Sequence, residues 1–85
     1  MNVLKQCVYN NNNLLIYSDG DFIYFEVNGF ITDKIPVNMT VDSFGKPVAF
    51  RLVASSSDGT TFIAIANLQQ DGYPTINIYD CVGII

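Results

Sequence analysis

The sequence has no histidine and no tryptophan, one arginine, and only two cysteines, Cys7 and Cys81. Without histidine, no Ser-His-Asp or Cys-His triad can form, and a general base of ordinary pKa is missing. The same absence removes the usual His/Cys zinc site, and neither cysteine belongs to a C-x-x-C pair, so no metal and no cofactor is expected. Lys5, Lys34, Lys46 and Arg51 are scattered, whereas phosphate binding needs clustered positive charge. Nucleic acid is therefore excluded as a partner, and the net charge of −4 is too diffuse to imitate it. No apolar run reaches the length of a membrane span, so no membrane partner is expected. The stretch MNVLKQCVYNNNN has no signal-peptide pattern. The expected location is the cytoplasm, a host's cytoplasm if the protein is viral. Both cysteines then read as buried thiols, with a Cys7–Cys81 disulfide as the alternative if the terminal strands are neighbours.

Charge of either sign is scarce: 14% of the 85 residues, beside 49% hydrophobic ones. An average domain carries roughly 25% charge. The carboxylates that are present sit mostly in turn chemistry. Asp19, Asp58 and Asp71 each precede a glycine, and Asp21 and Asp33 fall at strand edges, where an aspartate makes the local hydrogen bonds of a turn. Asp19-Gly20-Asp21 falls far short of a calcium loop, and the glycines are singletons rather than a phosphate cradle. Glu26, the only glutamate, lies in mid-strand between aromatic residues, where pairing with Arg51 or a lysine is expected. The inventory points away from catalysis.

What is abundant is β-former. Runs rich in β-branched and aromatic residues, separated by Gly, Asp, Asn and Pro, predict strands at Val3–Tyr9, Leu14–Ser18, Asp21–Val27, Phe30–Lys34, a short Met39–Val41, Val48–Ser55, Thr61–Leu68 and Thr75–Val82. Val37 to Phe44 has room for one helical turn at most. Asp19-Gly20 and Asn28-Gly29 predict type I′ hairpin turns, with the tract Asn10 to Asn13 closing the first hairpin. Ser57-Asp58-Gly59 and Asp71-Gly72 do the same in the second half. The expected fold is one small all-β antiparallel domain over residues 1–85. It is built as a four-strand and a three-strand meander joined by a Pro/Gly-marked crossing, with about seven strands in a sandwich or a barrel.

Strand alternation assigns faces. Ile23, Phe25 and Val27 read as core, which sends Phe22, Tyr24 and Glu26 to the opposite face; Ile63 and Ile65 likewise oppose Phe62, Ala64 and Ala66. Arg51 points outward. Strands apolar on both faces point to a homo-oligomer interface, with a barrel whose curvature buries one face and whose loops shield the rest as the alternative. The expected function is a non-catalytic binding module, an accessory or inhibitor protein of the phage or immunity type that sequesters a protein or small-molecule partner. A structural subunit of a larger assembly such as a virion or tail is the second reading. Candidate binding residues are Phe22, Tyr24, Glu26 and Arg51, with Tyr9, Asn11, Asn13 and Tyr17 from a tyrosine- and asparagine-rich region; such residues make adaptable contact surfaces.

Asn13-Leu14-Leu15-Ile16-Tyr17 resembles the N-x-V-x-Y part of the mannose-binding motif Q-x-D-x-N-x-V-x-Y of the monocot bulb lectins. GKPVAF and LQQDGYPTINIYD resemble further phrases of that family. Tyr9 and Asn11 stand where the motif has Gln and Asp, and Gln69 and Asp71 suit a second copy whose later register is displaced. The resemblance implies a third reading, a small lectin-like carbohydrate binder using Tyr9, Asn11, Asn13 and Tyr17.

Overall fold

A computed structural model describes residues 1–68 and 74–85. Its strands are β1 (Asn2–Tyr9), β2 (Asn12–Ser18), β3 (Phe22–Val27), β4 (Phe30–Pro36), β5 (Phe50–Ser55), β6 (Thr61–Leu68) and β7 (Pro74–Tyr79). They form a four-stranded sheet in the order β1-β2-β3-β4 and a three-stranded sheet in the order β5-β6-β7, every pair antiparallel. The two meanders read from the turn residues are therefore present, but among the described residues no ladder joins β4 to β5 or β1 to β7, so the strands do not close into a barrel. The expected strand at Met39–Val41 is instead a single 3-10 turn at Val37–Met39, followed by an isolated bridge between Val41 and Pro47. The last strand stops at Tyr79 rather than Val82, because the Asp80 carboxylate accepts the amides of Val82 and Gly83 and turns the chain back. The expected turn at Asp71-Gly72 lies outside the described residues.

The turns follow from residues that tolerate positive φ. Asn28 and Gly29 both adopt it (φ 54° and 86°), as a type I′ turn requires. The first hairpin uses Asn10 and Asn11 in the same way (φ 48° and 64°). The second departs from the expected type I′ pair. There only Gly20 has positive φ (98°), and the Asp19 amide donates to the Phe22 carbonyl, so the paired positive φ of a type I′ turn is absent.

Period-2 alternation decides the core. Leu14, Ile16, Ile23, Phe25 and Val27 from the larger sheet pack with Leu52, Ala54, Phe62, Ala64 and Ile78 from the smaller one in a single buried cluster. The cluster mixes large side chains such as Phe25, Phe62 and Ile78 with the small Ala54 and Ala64. Ile63 and Ile65 take the opposite, outward side of β6 and remain half-buried. Two extra residues reset the alternation. One lies on β1 between Val3 and Lys5; the other is Thr32 on β4, whose hydroxyl donates to the Phe25 carbonyl at 3.2 Å. The second bulge turns Asp33 toward the smaller sheet, where its carboxylate accepts the edge amide of Val53 at 2.9 Å. Of the two free thiols, Cys7 is half-buried, and desolvation pushes its pKa up; Cys81 is exposed rather than buried as expected.

An added Cβ meets nothing within 4 Å at either Gly20 or Gly29, so the cost of alanine there is conformational alone. Gly20→Ala and Gly29→Ala should each lower stability by about 1 kcal/mol, read as a lower midpoint with unchanged slope in urea unfolding.

Candidate functional site

The outer face of the four-stranded sheet gathers the side chains that alternation excludes from the core. Register places Tyr17 opposite Tyr24 and Tyr24 opposite Lys34; Phe22 lies opposite Pro36, and Leu15 opposite Glu26, which faces Ile31. Tyr17 and Tyr24 stack with ring centroids 5.0 Å apart, and Phe22 tilts against Tyr24 at 6.0 Å. The Lys34 ammonium stands over the Phe22 ring at 4.5 Å from its centroid. The three rings form one half-exposed strip across β2 and β3, extended by Ile31 (54% exposed) on β4 and Val3 (49%) on β1.

Carboxylates hold this strip in place. The Tyr24 hydroxyl donates to Asp19 Oδ2 at 2.6 Å, while Asp19 Oδ1 accepts the amides of Asp21 and Phe22, each at 2.9 Å. Hydrogen bonding from Tyr24, then from these amides, lowers the Asp19 pKa to about 2. The Glu26 carboxylate holds the proton on the Tyr17 hydroxyl and, with some desolvation, raises that phenol to about 12. Tyr24 is raised for the corresponding reason, its bond to Asp19. The two phenols are thus held neutral, with Asp19 at the turn end of the strip, Glu26 toward its other end and Lys34 on the neighbouring β4. The result is a patch of mutually packed rings bordered by charged groups.

Four of the expected binding residues, Tyr17, Phe22, Tyr24 and Glu26, therefore share one surface. The others do not join it. Arg51 is exposed on the outward side of β5 in the other sheet, and no ion pair links it to Glu26. Tyr9 turns inward; it meets Phe62 edge-on at 6.2 Å, and its hydroxyl faces Asp80, which raises its pKa. Asn11 is consumed by the first turn. Asn13 is exposed at the far end of the aromatic face, where its amide donates to Asn28 Oδ1 at 2.8 Å. The motif positions shared with the lectins thus split between the two sides of the sheet; Gln69 and Asp71 lie outside the described residues. Of the aspartates expected in turns, Asp19 and Asp58 make turn bonds, Asp58 accepting the Thr60 amide, while Asp71 lies outside the described residues; Asp42, which the sequence does not single out, accepts the amides of Phe44 and Lys46. Among the described residues, no three His, Cys, Asp or Glu side chains are grouped to hold a metal ion.

Lys34, Leu15 and Ile31 belong to the face but are not among the residues the sequence picks out. Lys34 and Leu15 could have been found by writing β4 and β2 in register against β3. Ile31 could not, because the Thr32 bulge reverses the alternation of β4 at that point. Comparison with protein-family models, curated proteins and solved structures gave no match to the chain.

A carboxylate depressed by native hydrogen bonds contributes stability above its unfolded pKa, and that contribution is lost as pH falls through the folded value. For Asp19 this window runs from the ordinary carboxylate range of about 4 down to about 2. Tyr24→Phe removes the largest cause and leaves the two amide bonds. The Asp19 carboxyl resonance should then titrate at higher pH than in the parent, while still below an ordinary aspartate, as followed by carbon-detected NMR.

Proposed function

We propose that the protein is a non-catalytic binding module whose working surface is the outer face of the four-stranded sheet, and that it acts as a homo-oligomer. In this reading the two sheets stack face to face as an open sandwich, a rigid backing for the aromatic strip. The observation that carries it is the braced set Tyr17, Phe22 and Tyr24. Three rings are held in contact with one another and flanked by Leu15 and Ile31, on a face the core does not use. Aromatic residues that are pre-positioned and need little ordering dominate the energetics of protein contacts. An accessory or inhibitor role fits this chemistry, with the oligomer sequestering a protein or small-molecule partner in the cytoplasm. Neither nucleic acid nor membrane is part of the proposal. The four lysines and arginines are dispersed, and no helix among the described residues is long and apolar enough to cross a bilayer.

Ile31→Lys tests the reading at a position exposed enough to spare the fold and adjacent to Glu26, which can receive the charge. In sedimentation velocity the parent should run at a multiple of its 9.4 kDa mass, and Ile31→Lys at the monomer mass with an unchanged circular dichroism spectrum. A parent that sediments as a monomer at micromolar concentration would remove the oligomer. Phe25→Asp is the contrast: it buries an unpaired charge in the core and should abolish folding altogether.

A further inference from the structure

We propose that the cleft bordered by Thr40, Val41, Pro47 and Val48 is a binding site for a small neutral hydrophobic molecule, of the size of a substituted benzene or an indole. The cavity measures about 260 Å³ and opens between the two sheets at the end opposite the Asn28-Gly29 turn. Ile23 forms its wall on one sheet, and Phe50 and Ile76 form the wall on the other. Leu4, the residue at the β1 bulge, contributes from the edge; bulges commonly re-aim a side chain in this way.

The fourth wall is built rather than left over. Val41 and Val48 come from the crossing between the sheets, and that crossing is tied to itself by hydrogen bonds. The Val48 amide donates to the Thr40 carbonyl at 2.9 Å, and the Asp42 amide to the Lys46 carbonyl at 2.8 Å. Asp42 Oδ1 accepts the amides of Phe44 and Lys46 at 2.8 and 2.9 Å, and Val41 bridges to Pro47. A connection fastened in this manner holds its valines at the rim instead of letting them collapse into the gap.

The lining selects the ligand's chemistry. No charged side chain lines the cavity, and its one hydroxyl, Thr40 Oγ1, already donates to the Val37 carbonyl at 2.7 Å. A charged ligand would be desolvated there without a partner, whereas a hydrocarbon loses nothing. For scale, an apolar cavity of about 150 Å³ lined by aliphatic and aromatic residues takes up benzene. The volume here leaves room for one ring with substituents.

The inference is independent of the outer aromatic face, and its test reads a different region. Benzene and indole are titrated separately into uniformly 15N-labelled protein, with butyrate and butylamine as charged controls. Saturable shifts are expected at the amides of Thr40, Val41, Val48 and Ile76, with none at Tyr17 or Tyr24, and indole should raise the melting temperature. Val48→Phe fills the cavity and should weaken the response about tenfold or more while the spectrum stays dispersed. Leu4→Trp, at a position already 37% exposed, provides the same block should Val48→Phe fail to fold. Absence of saturable shifts with both ligands overturns the proposal. So does a response that persists undiminished in the folded blocking variant, or an equal response to the charged controls.

Discussion

Everything in this molecule depends on contact between two apolar sheet faces that share no ladder. The larger sheet contributes Leu14, Ile16, Ile23, Phe25 and Val27, and the smaller contributes Leu52, Ala54, Phe62, Ala64 and Ile78. A chain of this length has a small margin of stability, and removing one Phe from such a core costs about 3–5 kcal/mol, a large part of that margin. The alanines on β5 and β6 let the bulkier sheet approach. The consequence reaches the surface: because one side of β3 is committed to this contact, Phe22, Tyr24 and Glu26 have no core to enter. Phe22 and Tyr24 pack on each other, and Tyr24 and Glu26 find hydrogen-bond partners in Asp19 and Tyr17.

The scarce charges serve the same economy. Asp19, Asp42, Asp58 and Asp80 each accept amides two to four residues onward, and Asp33 accepts one from its neighbour and one from β5. They act as local fasteners, shaping turns and capping an otherwise open strand edge. Asn28 does comparable work without charge. Its side chain accepts the Asn13 amide and donates to Asn12 Oδ1, which ties the first and third hairpin turns together at one end of the sheet.

Much of this was legible before any coordinates. The Asn28-Gly29 turn, the alternation along β3 and the division into meanders of four and three strands follow from turn chemistry and period 2. What was hidden has identifiable causes. The bulges at Leu4 and Thr32 reverse the alternation of β1 and β4, so the faces of Val3 and Ile31 could not be read by counting. On β6, Ile63 and Ile65 offered as plausible a core face as Phe62, Ala64 and Ala66. The structure buries Phe62, Ala64 and Ala66. Tyr9 looked like a surface ring because it borders a polar tract, yet its partners Phe62 and Asp80 are more than fifty residues away in sequence. The aromatic strip was half legible: its members were visible one by one, but their contact depends on the register of β2 against β3.

Strand order in each sheet equals chain order, and this governs how the molecule assembles. Each hairpin closes a loop of only a few residues, so the entropy lost in forming either meander is local and small. The single non-local event is docking of one meander on the other. Residues 37–49 tether the two halves, and a short tether raises the effective concentration of one face at the other to the order of millimolar. The halves therefore behave as two partners already held within reach, which is how a chain with free thiols can join two separate sheets.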